Sequence, residues 1–329
     1  MEKLTVNSKI QELFLHPGVS EYAQYLIYSN PAAAQQDMSA FAQQPLSILK
    51  NIGWSPEGVA AGFNFFLDEI SSGRVEQYFI YNDEESKTTQ KRYVNLIRLL
   101  PEKPVPDTDT IILCAGGGYG SVCTVVEALP TARHFSENGY TVYILSYRVS
   151  EDCIAPKALE DLANAVKYLQ DNANALGVDP ERLVIGGYSA GANLISNFGV
   201  PTLGYKKYGL VKPKALIPVY TFINLSNLTN PDLAPMLKSM FGDSFEELSR
   251  EYNVAERIDK DYPPCYIVCG EDDTTVGAAD SALMKERLDA AVVPAVLHTG
   301  PHAPHGFGDG TGTDVEGWPE KAMEFIKAL

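Results

Sequence analysis

Gly187-Tyr188-Ser189-Ala190-Gly191 sets one serine midway between two glycines. A serine hydroxyl is a weak nucleophile unless a base takes its proton and the backbone thrusts it out of a tight turn. Glycines two residues to either side permit that turn and the close packing around it. The apolar run Leu183-Val184-Ile185 reads as a buried strand and Ala190 to Ile195 as the start of a helix, so the serine falls at a strand-to-helix turn. Upstream, Cys114-Ala115-Gly116-Gly117-Gly118-Tyr119-Gly120 ends another apolar strand. Three consecutive glycines let backbone N–H groups face a developing oxyanion without obstruction. A phosphate-binding loop is the competing reading. It fits less well, because Gly116 to Ser121 matches G-x-G-x-x-G poorly and no G-x-x-x-x-G-K-S/T is present. The candidate oxyanion donors are the amides of Gly117, Gly118 and Ala190, and Tyr119 and Tyr188 are candidate substrate contacts beside them.

The base must be His16, His134, His298, His302 or His305. His16 precedes the chemistry-bearing region, His134 falls in mid-helix and His298 at a strand end. His302 and His305 share the loop Gly300-Pro301-His302-Ala303-Pro304-His305-Gly306-Phe307-Gly308 after the last strand. His305 is the first choice, since Gly-Phe-Gly behind it gives a tightly turning backbone; His302 stays open. An acid is needed to orient the imidazole. Glu271, Asp272 and Asp273 follow an apolar strand, and runs of adjacent acids are usually solvated turns. Asp273 is preferred, with Asp272 the alternative.

The elements that must position these residues alternate. A hairpin (75–81 and 92–100) is followed by strands at 110–115, 141–147, 182–186, 214–219, 264–269 and 295–298. Helices are expected near 124–138, 156–176, 190–198, 278–291 and 318–329. This pattern predicts an α/β fold: a mainly parallel, mixed sheet with helices on both faces. Residues 220–262 interrupt the alternation with short apolar patches (Leu233, Met236, Leu237, Met240, Phe241), either a lid over the strand ends or a plain helical excursion. Residues 1–73 read as a helical extension, a cap or a dimer contact, with Ser55-Pro56-Glu57 starting a helix that ends near Ser71-Ser72-Gly73. Phe63, Phe65 and Phe66 on it are assigned to core packing rather than to an acyl-binding wall. Residues 74–329 then form the catalytic domain.

The 329 residues, 45% hydrophobic and 21% charged, describe a globular chain able to bury a full core. A net charge of -16 disfavours a nucleic-acid partner. The five cysteines are scattered and form no C-x-x-C pair, so neither a disulfide framework nor a zinc site is expected. MEKLTVNSKIQELF lacks a basic segment followed by an apolar one, and no apolar run reaches membrane-spanning length. The expected location is the cytoplasm.

On Gly116-Gly117-Gly118-Tyr119, Tyr147-Arg148, Pro156 to Leu162, Gly187 to Gly191, Asp273-Thr274-Thr275-Val276 and His305-Gly306, the stretch from about Thr110 onward resembles the α/β-hydrolase superfamily. It is closest in pattern to the esterase and acetyl-esterase branch near the hormone-sensitive-lipase-like and feruloyl-esterase-like proteins. The resemblance implies the chain order Ser, Asp, His, and favours Asp273 and His305 over their neighbours. It further implies a serine carboxylesterase acting on a small ester, with a short, acetyl acyl group, and needing no metal or organic cofactor. Ala115 stands where that family often has His or Pro. An amidase or peptidase with the same triad, or an inactive ligand-binding protein on the scaffold, are the alternatives.

Overall fold

A computed structural model describes residues 2–29, 39–87, 90–225 and 234–329. The strands, in chain order, are β1 (Tyr28–Ser29), β2 (Val75–Phe79), β3 (Asn95–Leu99), β4 (Thr110–Cys114), β5 (Ser121–Val122), β6 (Val142–Ser146), β7 (Leu183–Tyr188), β8 (Ala215–Val219), β9 (Cys265–Gly270) and β10 (Ala295–Gly300). Eight of them form one sheet in the order β10-β9-β8-β7-β4-β6-β3-β2. The expected hairpin is β2–β3, antiparallel, and β3 also pairs antiparallel with β6. From β6 to β10 every pairing is parallel. The central strands β4, β6, β7, β8 and β9 are buried along their whole length, as continuous apolar runs covered on both faces must be. This is the mixed, mainly parallel sheet of the α/β-hydrolase fold.

Parallel strands expose their C-terminal ends at one rim, and each candidate residue enters the loop leaving such an end. The glycine run follows β4, Ser189 follows β7, Asp273 follows β9 and His305 follows β10. Beneath this rim, Arg148 and Asp161 bond through the Arg148 N–H at 2.8 Å and the guanidinium Nε at 3.0 Å, and Tyr81 donates to Asp161 Oδ1 at 2.6 Å. That buried pair ties the end of β6 to the Ile154–Asp171 helix, which gives a structural account of the Tyr147-Arg148 and Pro156–Leu162 motifs.

The helical reading of residues 1–73 fits the Pro56–Ser71 helix, which Ser55 caps by accepting the Gly58 N–H at 3.1 Å. Upstream it needs correction. Among the described residues there, only four-residue helices and 3-10 turns form, and Tyr28–Ser29 is a strand, paired antiparallel with Ser121–Val122 just beyond the glycine run. Two residues are too few to give an alternation detectable in sequence. Leu4, Ile10, Leu13, Val19 and Leu26 are buried in the same hydrophobic cluster as the sheet. Phe63 and Phe66 are buried there too, with Phe65 packed partly against it.

Within 220–262 the described residues form the helices Ala234–Phe241 and Phe245–Glu251 and 3-10 turns at Gly242–Ser244 and Val254–Glu256. Leu233 lies outside the described residues. Met236 reaches the glycine run: its Sδ is 3.6 Å from where a Cβ on Gly118 would stand. Among the described residues, no helix is long and apolar enough to cross a membrane.

Candidate active site

Ser189 sits where β7 meets the Ala190–Gly199 helix, at φ 50° and ψ −115°. A residue with a Cβ is strained in that region, and such strain persists only when the surroundings enforce it. Here the Ser189 N–H donates to the Val219 carbonyl at 3.0 Å and the Ser189 carbonyl accepts from Asn193 N–H at 2.9 Å. The glycine at position 191 is demanded by space. A Cβ there would lie 2.0 Å from the Cys114 carbonyl oxygen, because the helix start is pressed against the end of β4.

His305 Nε2 is 3.0 Å from Ser189 Oγ, and its Nδ1 is 2.7 Å from Asp273 Oδ2. The other Asp273 oxygen accepts the N–H groups of Thr275 at 2.8 Å and Val276 at 2.9 Å, which locks the carboxylate toward the ring. This gives the Thr-Thr-Val stretch after Asp273 a physical purpose. The chain brings together Ser189, His305 and Asp273, and it separates the alternatives from them. His302 is 82% exposed, its Nδ1 3.7 Å from Asp272, and Asp272 spends Oδ1 on the Ala303 N–H at 2.8 Å. Asp272 thus fixes the loop that carries His305 rather than the imidazole itself. His16 accepts from Gly18 N–H, His298 is hydrogen-bonded to the Tyr266 hydroxyl, and His134 lies between Glu320 and Asp309.

Gly117 (φ 129°) and Gly118 (φ 61°) turn the chain beside the serine. The Gly117 carbonyl accepts from the N–H groups of Gly120 and Ser121, both at 3.0 Å, which closes the turn. Tyr147 donates to the Ala115 carbonyl at 2.6 Å and holds the loop from below. Ala190 opens the helix after β7, where the first backbone N–H groups have no intrahelical acceptor. The two expected substrate tyrosines stand elsewhere. Tyr188 is fully buried with its ring between Tyr220 and Trp318, and Tyr119 is buried with its hydroxyl donating to Asn193 Oδ1 at 2.9 Å. Both pack the floor of the site, since a strand residue before the elbow alternates inward and Tyr119 (φ 57°) turns back over Tyr147.

Glu127, Tyr220 and Trp54 escaped the sequence reading. Glu127 accepts the Gly116 N–H at 2.5 Å and the Tyr220 hydroxyl at 2.8 Å, and burial raises its pKa against those two bonds. The Tyr220 ring stands 4.7 Å from the His305 ring. Trp54 abuts Gly306: a Cβ on Gly306 would be 2.5 Å from its Cδ1. A lone acid in the apolar run Thr124 to Ala132 was the one available signal for Glu127. The contacts of Tyr220 and Trp54 arise only from folding. Among the described residues, no group of three His, Cys, Asp or Glu side chains is arranged to hold a metal ion.

Similarity to known proteins follows the same outline. Endo-1,4-beta-xylanase B of Butyrivibrio fibrisolvens is 27% identical over 229 residues, 66% of this chain and 35% of that protein. Esterase LipC of Mycobacterium tuberculosis is 22% identical over 223 residues, 63% of this chain and 54% of that protein. The aligned part thus spans between about a third and a half of these curated relatives. Among solved structures, an acetyl ester-xyloside bifunctional hydrolase from Caldicellulosiruptor lactoaceticus superposes with a TM-score of 0.65 at 22% identity, covering 78% of this chain and 96% of that one. A thermophilic esterase from Thermogutta terrifontis gives 0.63 at 23% identity, covering 78% and 92%. These structures share the fold. Residues 98–288, more than half of the chain and including the glycine run, the serine elbow and the acid, match the BD-FAE family, and the chain belongs to that family.

Proposed function

We propose that the protein is a serine carboxylesterase that hydrolyses short-acyl esters through an acyl-enzyme. The observation that carries this reading is the hydrogen-bonded series Ser189–His305–Asp273 at a strained turn beside two glycine amides. His305 accepts the Ser189 proton as Oγ attacks the ester carbonyl, and Asp273 holds the imidazole tautomer and stabilises the imidazolium. The amides of Ala190 and of Gly117 or Gly118 receive the oxyanion, each such donor contributing about 3 kcal/mol to the transition state. His305 then protonates the leaving alcohol, and a water activated by the same ring hydrolyses the acyl-enzyme. The acetyl assignment draws on the names of similar proteins, which include esterases and an acetyl ester-xyloside hydrolase, and on Met236 standing over Gly118.

The test is turnover of p-nitrophenyl acetate by the wild type and Ser189→Ala, with fluorophosphonate labelling alongside. Wild type should turn over and label, and Ser189→Ala should do neither. Near wild-type turnover by Ser189→Ala would refute the assignment, and an unlabelled, inert wild type would point to a binding scaffold.

A further inference from the structure

The Glu127 carboxylate lies inside the protein below the site, and acyl transfer as described makes no use of it. An added Cβ on Gly116 would touch both Glu127 Oε2, at 3.1 Å, and Ser189 Cβ, at 2.9 Å, so the carboxylate is part of the floor under the nucleophile. Oε2 accepts the Gly116 N–H at 2.5 Å and Oε1 the Tyr220 hydroxyl proton at 2.8 Å. Tyr220 meets the loop that carries His305 through its ring. Both carboxylate oxygens therefore accept from neighbouring donors, an arrangement that suits an ionised carboxylate. The Tyr220 ring stands 4.7 Å from His305 at 55° and 4.7 Å from Phe307 at 88°, wedged against the base. Tyr220 has φ 40°, and its N–H donates to the Val268 carbonyl at 2.7 Å, so the ring is held there against backbone preference.

A buried carboxylate is costly unless it is bonded or faces an opposite charge. The matching charge arises in the reaction, when His305 takes the Ser189 proton. Resting on the serine-hydrolase reading, we propose that Glu127 is a positioning residue that acts through Tyr220 and the His305 loop to support the imidazolium from a second side. The groups facing His305 are Asp273 from the loop after β9, Ser189 from the elbow, Tyr220 from the loop after β8, and Glu127 behind it. Asp272 faces the same loop at Ala303. A tyrosine whose hydroxyl donates to an anion has a more electron-rich ring, which favours a cation against its face.

The experiment compares Glu127→Gln, Glu127→Asp and Tyr220→Phe with wild type on p-nitrophenyl acetate across pH. Removing a negative charge destabilises the imidazolium, so the ring stays neutral to lower pH. In Glu127→Gln the acid limb of kcat/KM should therefore move down by about half a pH unit, with kcat reduced roughly 10-fold and KM little changed. Glu127→Asp keeps the charge and should hold the limb nearer its wild-type position even if kcat falls. A limb in Glu127→Gln that coincides with wild type overturns the proposal and leaves Glu127 as a clamp on Gly116. If Glu127→Gln does not fold, Tyr220→Phe decides: a limb moved the same way supports the proposal and an unmoved one overturns it. Titrating the His305 ring by NMR in the same variants needs no turnover. It reads the coupling even if the wild type hydrolyses no ester, a failure that would refute only the esterase reading.

Discussion

Gly306→Ala should damage catalysis far more than an exposed-loop substitution, and Trp54 should be the reason. Gly306 has φ +87°, and an added Cβ would lie 2.5 Å from Trp54 Cδ1 and 2.7 Å from Nε1. The left-handed backbone costs an alanine about 1–2 kcal/mol. Forcing a methyl group into the packed ring costs about 1–3 kcal/mol more. The loop can avoid the second term by moving, but Gly306 adjoins His305, whose Nε2 is 3.0 Å from Ser189 Oγ. A displacement of about 1 Å at that contact should lower kcat roughly 100-fold. Trp54→Ala removes the ring, so Gly306→Ala in that background should retain only the backbone penalty. A double-mutant cycle read by kcat/KM on p-nitrophenyl acetate and by melting temperature should show a coupling of about 1–3 kcal/mol. Equal damage from Gly306→Ala in both backgrounds would refute the claim that the segment at Trp54 braces the base.

Three further outcomes follow from the same geometry. Asp273→Asn keeps the shape but no longer enforces the imidazole tautomer, so kcat should fall roughly 10⁴-fold, whereas Asp272→Asn should leave kcat within a few-fold of wild type; steady-state kinetics separate the two. Met236→Ala should open the space over Gly118 and raise the butyryl-to-acetyl ratio of kcat/KM by about 10-fold, measured on a p-nitrophenyl ester series. His134 should make stability pH-dependent. Burial lowers its pKa, but the bonds to Asp309 and Glu320 outweigh that and raise it above 6.5, while Asp309, despite burial, is held below 3.8. The His134 contribution is thus full below its unfolded pKa and lost as pH rises through the raised value. That of Asp309 is present above its unfolded pKa and lost as pH falls through the lowered one. Urea melts of wild type and His134→Gln should differ most between about pH 4 and 6.5 and converge at alkaline pH; a pH-independent gap would refute the coupling.

The alternation of elements was readable because central strands such as Leu183-Val184-Ile185 are continuous apolar runs and the helices between them are long. The elbow that carries the proposed nucleophile is legible because its turn constrains sequence locally: a Cβ at position 191 would strike the Cys114 carbonyl. Asp273 and His305 were narrowed to pairs, and what separates each pair is not local. His305 differs from His302 by the route of the loop, which Asp272 fixes through Ala303, a bond spanning 31 residues. Tyr119 and Tyr188 are buried for the same reason, since proximity in sequence to reactive groups does not say on which side of the turn a ring will lie. Tyr28–Ser29 and Trp54 act through partners about 90 and 250 residues away, a separation at which no periodicity or spacing rule operates.

Among the described residues, the non-glycine positions at positive φ are Asp107, Tyr119, Ser150, Cys153, Ser189, Tyr220 and Val292, and three of these seven border the proposed chemistry. Tyr119, Ser189 and Tyr220 all carry side chains at positive φ, and each is at or beside the site. Such residues cost on the order of 1–3 kcal/mol each and persist only if neighbours over-determine them. The neighbours here are identifiable: Val219 and Asn193 hold Ser189, Val268 holds Tyr220, and Asn193 with Tyr147 holds Tyr119. Asn193 serves twice, bonding the Ser189 carbonyl through its N–H and the Tyr119 hydroxyl through its side chain, while its amide also donates to the Phe222 carbonyl at 2.9 Å. The elbow, the glycine run and the loop after β8 are therefore coupled through one buried amide. Relief of strain at any one of them would pass to the others, which is why Ser189, the proposed oxyanion amides and the Tyr220 ring beside His305 are best regarded as one preorganised unit.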